Sequence, residues 1–533
     1  MKIHKKAFVI WLFTIFLAGL GLGLDLWVIS ANSATITGTV TDIDGPVTGA
    51  HVRVRATDNL TITNNTGNFI LTGLESGQNV EVTAWADGYY IASKVVTPTA
   101  NGIELILRQY HTTDHPDYDW LSPFEGDIGK ACGNCHPMII SQWQNNAHGG
   151  AISNARFFSL YNGTNLSGTL QIAPGYLTDF PGTVGNCASC HAPGAAVDGF
   201  LATNMNTIRD IVTAGVHCDF CHKVGGVYLD PASGSVYPNA PGVESLRVLR
   251  PPVGEQIFLG PFDDIPDPDT YLPLAQESQF CAPCHQFSFW GTPIYESYNE
   301  WLASPYADEG ITCQKCHMLP TGDAYFALPE VGGVPHPPDS IPSHLQPGAS
   351  SLELLQDTVS MTLQTEQIGQ QLWVTVLISN TNAGHHVPTD HPGRHLILTV
   401  TAANEDGQIL PQTSGGKVPV WGGLQAGIPG KAFAKVLQDV QTGAYPVVSY
   451  WKQTSILSDN RIPAFTADSS RYAFALPSQG GLVTIRAELI FRRNFQAEMD
   501  ARDWQEADIP MEIITKQLPI SSAQILFIPF VRR

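Results

Sequence analysis

The residues of this chain best suited to chemistry are its ten cysteines, which fall into five units of the pattern C-x-x-C-H. Two residues between the sulfurs let one turn of backbone reach two positions on one edge of a flat cofactor, and the histidine then lies beneath its ring. This pattern is the attachment signal for haem c, with the histidine as proximal iron ligand. The units are CGNCH (Cys132, Cys135, His136), CASCH (Cys187, Cys190, His191), CDFCH (Cys218, Cys221, His222), CAPCH (Cys281, Cys284, His285) and CQKCH (Cys313, Cys316, His317).

Other uses of paired cysteines explain the pattern less well. Disulfides, zinc sites and thiol redox centres do not require histidine directly after every pair. Histidine is only 17 of the 533 residues, so its recurrence at one place in all the units is not accidental. The sequence therefore predicts five covalently attached haem c groups with their iron. With about 37 residues for each haem, the porphyrins must supply much of the apolar interior.

The ligand at the sixth coordination position of each iron distinguishes an electron carrier from an enzyme. Two axial histidines close the site, whereas an open position permits chemistry on a substrate. Enough further histidines exist for every haem to be closed. His217 directly precedes Cys218 and has no route to the far face of that haem. It is predicted either to ligate a neighbouring haem, which would link two haems, or to be a core or propionate-binding residue.

The N-terminal segment, residues 1–33, predicts export. Lysines precede an apolar run at 7–24, and small residues follow where a signal peptidase could cut. We interpret it as a signal peptide or a signal anchor, so the protein is expected in the periplasm or at the cell surface. Membrane attachment is expected only through an uncleaved anchor.

Residues 34–108 alternate apolar and polar positions between turn signals, which predicts a small β-sandwich. The order GTVTDIDGPVTGAHVRV, TGNFILTGL, ADGYY resembles the carboxypeptidase regulatory-like module, which implies an accessory or adhesive domain. His51 lies in phase with two arginines and is predicted to face solvent. Residues 350–533 contain strand signals with DG and GG turns, and they predict a second, larger sandwich.

Residues 109–349 carry every unit and are predicted to form a haem-packed, mostly α-helical or irregular core. A proline-rich linker is expected at 320–347, and the acidic run 263–269 is expected to be a solvated loop, with a calcium site as the alternative. The predicted fold class is therefore multidomain, with a β-sandwich at each end of a multihaem core.

Longer motifs around the units resemble a family. CHPMIISQWQNNAHGGA, GVHCDFCHKV, ESQFCAPCHQF and SHLQPGA look like exported multihaem cytochromes c of the group that contains hydroxylamine oxidoreductase, pentahaem nitrite reductase and tetrahaem electron carriers. NTNAGHHVPTDHPGRHLILTV is similar to the β-domain that often follows such cores. The resemblance implies distal ligands at His148, His344 and His385, with polar loop residues as the alternative for the last two. His386, His391 and His395 are expected to be hydrogen-bond donors or surface residues, although one could replace His385.

The formal net charge of −20 disfavours nucleic acid as a partner. We expect outer-sphere electron transfer along the haems, with redox proteins as partners. The alternative is an enzyme that acts on a small nitrogen or sulfur compound at one open haem. Against it, no unit is C-x-x-C-K, the lysine-ligated variant associated with pentahaem nitrite reductases. A third hypothesis is a cell-surface or filament-forming conduit, with the β-modules as docking or assembly surfaces.

Overall fold

The computed structural model describes residues 33–124, 126–127, 131–169 and 174–521. The predicted signal segment, apart from Ser33, lies outside the described residues. Within the described ranges no helix combines the length and the apolar character that a membrane span requires. A β-rich region at each end encloses a helical and irregular centre, so the predicted multidomain fold class is confirmed.

The N-terminal module is a sandwich of two sheets because its strands alternate buried and exposed side chains. Ile36, Val40, Val52, Leu71 and Val82 lie almost completely buried between the sheets. One sheet has the strands Gly45–Pro46, Ser33–Asp42, Asn68–Glu75 and Ile103–Ile106, and the other has Leu60–Ile62, His51–Val54, Val80–Trp85 and Ala92–Val96.

The acidic run at 263–269 fastens this module to the central region. Asp263 accepts hydrogen bonds from the ring of His51 (2.8 Å) and from Arg53 (3.1 Å), and Asp264 accepts from the amide of Ala56 (2.6 Å). Asp263 and Asp264 are 8% and 2% exposed. The prediction of a solvated loop was therefore wrong. His51, predicted to face solvent, is only partly exposed (31% of its side chain), because the alternation of a strand does not reveal that another domain packs on its outer face.

The central region consists of short helices joined by irregular chain, with a few two-stranded sheets. Its proline-rich end is irregular, as predicted, but it packs on the core, since the amide of Leu328 donates to the carbonyl of Cys135 (2.9 Å). The α-helices are Pro137–Gln144, Ala155–Asn162, Tyr176–Asp179, Ala188–His191, Pro193–Ala196, Cys218–Cys221, Ala282–His285, Ser297–Leu302, Pro305–Asp308 and Gln314–His317. The 3-10 turns are Cys132–Asn134, Phe200–Ala202, Met205–Thr207, Gly242–Ser245, Pro273–Gln276, Ser278–Phe280 and Pro329–Val331. The paired strands are Val224–Val227 with Leu246–Val248, Phe258–Gly260 with Asp269–Tyr271, and Phe287–Phe289 with Thr292–Tyr295.

The C-terminal region is a second sandwich, entered through the helix Leu352–Thr358. Leu372, Val376, Leu398, Phe474 and Ile485 belong to its buried core. One sheet has the order Val359–Ile368, Gln371–Asn380, Ala467–Ala475, Gln412–Ser414, and the other has Gly430–Phe433, His395–Ala403, Gly481–Arg492, Ile509–Ile520. A hairpin of Lys435–Asp439 with Thr454–Asp459, the 3-10 turn Val420–Gln425 and the helix Gln496–Ala501 complete it.

A buried ionic network joins this sandwich to the centre. Arg461 donates to Glu300 (2.6 Å), which lies on the central helix Ser297–Leu302, and to Asp459 (2.7 Å) in its own domain. Lys435 pairs with Glu296 beside it. The side chains of Arg461 and Glu300 are 4% and 5% exposed, so each buried charge requires the other as a counterion.

Candidate functional site

The five C-x-x-C-H units, numbered here in chain order, share one local structure. In each, the amide of the histidine donates to the carbonyl of the first cysteine at 2.9–3.1 Å, closing one helical turn. This turn places both thiols and the imidazole on one side of the backbone. The units therefore have the local arrangement that attachment of a planar group through two sulfurs requires.

The imidazoles are oriented through their Nδ1 atoms. Nδ1 donates to the carbonyls of Phe326 (2.8 Å) from His136, of Leu259 (3.0 Å) from His222 and of Pro347 (2.7 Å) from His317. A hydrogen on Nδ1 leaves the lone pair on Nε2, which is the form that binds iron. The chain thus presents these rings as metal ligands.

The fourth unit differs, because its histidine donates to a carboxylate. Nδ1 of His285 lies 3.5 Å from Asp390, which also accepts from the amide of Ser297 (3.3 Å) and from its hydroxyl (2.5 Å). Burial opposes the charged imidazole, but the hydrogen bond and charge of Asp390 raise the pKa of His285. A carboxylate in this position makes an imidazole a stronger electron donor to its metal.

Three proximal rings lie close to a second histidine ring, nearly parallel to it in two pairs (24° and 18°) and at 73° in the pair of His148 and His285. The ring centres are 6.3 Å apart for His148 and His285, 6.5 Å for His222 and His344, and 6.5 Å for His317 and His385. A metal–imidazole bond is about 2 Å long, so two rings that share one iron have centres roughly 6 Å apart. The third, fourth and fifth units therefore each have the space for an iron between two imidazoles.

Two of the second rings are held through their Nδ1 atoms, and the third residue is held through its backbone amide. Nδ1 of His148 donates to Oε1 of Gln346, and Nδ1 of His385 donates to the carbonyl of His386 (2.9 Å). The amide of His344 donates to Gln142 (2.7 Å), and burial lowers the pKa of this histidine to about 4. The three histidines implied by the family resemblance thus lie opposite proximal histidines.

The position of His217 does not match the prediction that this residue ligates a neighbouring haem. Its Nδ1 accepts the amide of Phe220 (3.3 Å), so it caps the helix Cys218–Cys221 and carries its hydrogen on Nε2. Its ring packs edge-on against Trp120, with 5.2 Å between ring centres. This geometry disagrees with a link between two haems and agrees with the alternative of a core histidine.

The first and second units have no opposed histidine ring within 6.5 Å among the described residues. Phe326 is stacked parallel to His136 with 6.1 Å between ring centres, and Phe157 is stacked on His191 at 4.2 Å. Burial lowers the pKa of His191 to about 4, although a hydrogen bond to the backbone of Ala151 opposes this change. These two units are therefore distinct from the other three.

One loop of the C-terminal sandwich, residues 385–394, reaches several units. It carries His385 opposite His317, Asp390 beside His285, and His391 near His191. Glu300 holds this loop by accepting the amide of His386 (3.1 Å) and the hydroxyl of Thr389 (2.6 Å). The sequence predicted His385 as a ligand but gave no signal for Asp390, because a single aspartate in a loop belongs to no recognisable motif.

Comparison with known proteins agrees with this geometry. Residues 35–106 match the carboxypeptidase regulatory-like domain, and residues 131–223 match the family of cytochrome c554 and c-prime. A penta-haem cytochrome c552 from Thermochromatium tepidum has a similar fold, with 21% identity and a TM-score of 0.53 over 73% of this chain and 97% of that one. The chain contains a multihaem cytochrome domain. A carboxypeptidase regulatory-like module precedes this domain.

Two other solved structures match only weakly. A family 123 glycoside hydrolase from Clostridium perfringens covers 31% of this cytochrome and 27% of its own chain, with 8% identity and a TM-score of 0.14. The PapD-like domain 7 of human CEP192 covers 31% of this cytochrome and 84% of its own chain, with 9% identity and a TM-score of 0.13. Neither bears on function, and the curated proteins contain no match.

The hydrogen bond of Asp390 leads to a prediction about redox potential. Replacing Asp390 with asparagine should raise the midpoint potential of one haem by about 60 mV, a tenfold change in a one-electron equilibrium, because the ligand loses an anionic acceptor. Replacing Gln346 with glutamate adds such an acceptor beside His148 and should lower the potential by a similar amount. Potentiometric titration of both variants checks the signs, and two shifts in the same direction would contradict the assignment.

Proposed function

We propose that this cytochrome carries five haem c groups, one on each unit, and that it transfers electrons along them. The observation that carries the proposal is the set of three opposed histidine pairs, since closed sites suit electron transfer better than substrate chemistry. Under this proposal His148, His344 and His385 are the distal ligands of the fourth, third and fifth haems.

Contacts between cysteines of different units support close packing of the haems. In the polypeptide before haem attachment, a hydrogen bond with the nearby Cys218 lowers the pKa of the Cys132 thiol, and one with Cys284 lowers the pKa of the Cys190 thiol. Contact with Cys281 lowers the pKa of Cys313 to about 6. These contacts join the first unit to the third, the second to the fourth, and the fourth to the fifth.

The third and fourth units complete a continuous route, because Cys221 is within electrostatic range of Cys281 and Cys284. The fourth haem is then a junction with the second and fifth haems as branches. When haem is bound it supplies the redox chemistry, and the chain sets the spacing, the ligands and the local polarity. We propose an exported protein, in the periplasm or at the cell surface, with redox proteins as its partners.

The test of this function is a count of haems and electrons. The intact protein should have the mass of the polypeptide plus five haems, and reductive titration should consume five electrons. A variant with alanine at both Cys187 and Cys190 should lose one haem and one electron. A wild-type protein with fewer than five haems, or with haems that take up no electrons, would contradict the proposal.

A further inference from the structure

Three of the units meet at one short stretch of irregular chain, residues 344–347, which we call the bridge segment. It supplies His344, whose ring lies 6.5 Å from the proximal ring of the third unit. Its Gln346 accepts a hydrogen bond from Nδ1 of His148, the ring beside the fourth unit. The carbonyl of its last residue accepts from Nδ1 of His317, the proximal histidine of the fifth unit, at 2.7 Å. The bridge segment therefore supplies or orients one histidine at each of three units.

The side chain of Asn146 joins the bridge segment to the turn that carries His148. Its Nδ2 donates to the carbonyl of His344 at 2.6 Å and to the carboxamide oxygen of Gln346 at 3.0 Å. Its Oδ1 accepts the amide of Gly149 at 2.9 Å, which fixes the turn. One amide group therefore contacts the backbone of one proposed distal ligand and the hydrogen-bond partner of another.

The helix Pro137–Gln144 extends these contacts to the first unit. It begins directly after His136, the proximal histidine of that unit, and ends two residues before Asn146. Gln142 on this helix is 8% exposed, and its Oε1 accepts the amide of His344 at 2.7 Å. The backbone of His344 is thus held at its amide and at its carbonyl by one continuous stretch of chain, so displacement of that stretch moves His344.

Gln346 has a backbone conformation that residues with a Cβ atom rarely adopt. Its φ is +41°, in the left-handed region where the Cβ atom approaches the neighbouring carbonyl. The carboxamide oxygen of this residue receives two donors, Nδ1 of His148 and Nδ2 of Asn146. Residues in such conformations persist where their surroundings fix them, and they cluster at functional sites. The geometry therefore assigns this oxygen a role beyond filling space.

We propose that Asn146 is a positioning residue that couples the axial ligands of the third, fourth and fifth haems through the bridge segment. The inference rests on the proposed function, since it requires haem at these units and distal ligation by His148 and His344. The three haems are consecutive on the proposed electron route. Groups behind a metal ligand fix its orientation, so carriers that share such groups keep their ligand geometry together. Loss of one shared side chain then disturbs more than one iron.

The test uses the full-length protein loaded with haem and compares two adjacent asparagines. Asn146→Ala removes the three hydrogen bonds described above, whereas Asn145→Ala removes an exposed one to the carbonyl of Ser141 (2.7 Å). Electron paramagnetic resonance of the oxidised protein distinguishes the haems, because the g values of a ferric haem with two imidazoles depend on the angle between the rings. This angle is 73° at the fourth unit and 24° and 18° at the third and fifth. Asn146→Ala should shift both kinds of signal, and Asn145→Ala should shift neither.

Carbon monoxide binding to the reduced protein measures how firmly the distal ligands are held, since it must displace one of them from a closed iron. Asn146→Ala should raise the carbon monoxide affinity of the third and fourth haems about tenfold, because two hydrogen bonds that support their ligands are lost. Asn145→Ala should retain the wild-type affinity. Equal affinities in the two variants would contradict a positioning role for Asn146.

Two substitutions of Gln346 separate a shared support from a local one, and they decide the matter even if Asn146→Ala does not fold. Gln346→Glu keeps an oxygen that accepts from His148 and Asn146, so it should keep the signals of the third and fifth haems. Gln346→Ala removes both contacts and should shift both kinds of signal. If Gln346→Ala or Asn146→Ala altered only the fourth haem, or none, the coupling would be overturned and electron transfer would stand. A wild-type mass with fewer than five haems would instead overturn the proposed function.

Discussion

Replacing His385 with alanine is expected to convert one haem from low-spin to high-spin. The ring of His385 lies 6.5 Å from that of His317, with Nδ1 donating to a carbonyl and the Nε2 lone pair free. Alanine removes this imidazole and supplies no ligand of its own. Electron paramagnetic resonance of the oxidised protein should show one new high-spin ferric signal with unchanged total haem.

The neighbouring residue provides a matched control. His386 differs from His385 by one position, and its ring lies 3.5 Å from the carboxylate of Glu300 instead of facing a unit. His386→Ala should therefore keep every haem in its wild-type spin state. A new high-spin signal in the His386 variant, or its absence in the His385 variant, would contradict the assignment of His385 as a distal ligand.

Replacing Arg461 with methionine should destabilise the C-terminal sandwich by about 3 kcal/mol, the cost of leaving buried carboxylates without their cation. Glu300 then loses a partner at 2.6 Å and Asp459 one at 2.7 Å. The free energy of unfolding of this domain is measured by denaturant titration monitored by circular dichroism. Because Glu300 also holds the loop 385–394, a fraction of the fifth haem should become high-spin.

Arg486→Met is the control for this variant. Arg486 pairs with Glu488 at 3.0 Å in the same sandwich, but the two side chains are 47% and 29% exposed. Exposed pairs of this kind contribute up to about 1 kcal/mol. If the Arg461 variant lost no more stability than the Arg486 variant, the buried network would not be what joins the sandwich to the haem core.

The shape of the predicted attachment units follows from the local sequence. A C-x-x-C-H unit is a single turn of backbone, so its spacing contains almost all of its geometry. The sandwiches were predictable for a similar reason, since alternating side chains determine the two faces of a strand. The family resemblance added His148, His344 and His385, which lie far from their partners in sequence.

The errors arise where contacts between distant segments decide the structure. His51 alternates as a surface residue should, but its ring is partly buried and hydrogen-bonded to Asp263 of the central region. His217 was available to a neighbouring haem by sequence, but the amide of Phe220 uses its Nδ1 lone pair.

The loop 385–394 makes the C-terminal sandwich a participant in iron coordination. If His385 binds iron, coordination favours the docked sandwich over the detached one, and docking favours coordination by the same free energy. Haem insertion and domain closure then become mutually dependent stages of maturation. A chain ending near residue 349 could attach its haems but would have incomplete coordination. Under the proposed export, the C-terminal sandwich would be the last domain to cross the membrane, and its docking would decide when the haems acquire their final potentials.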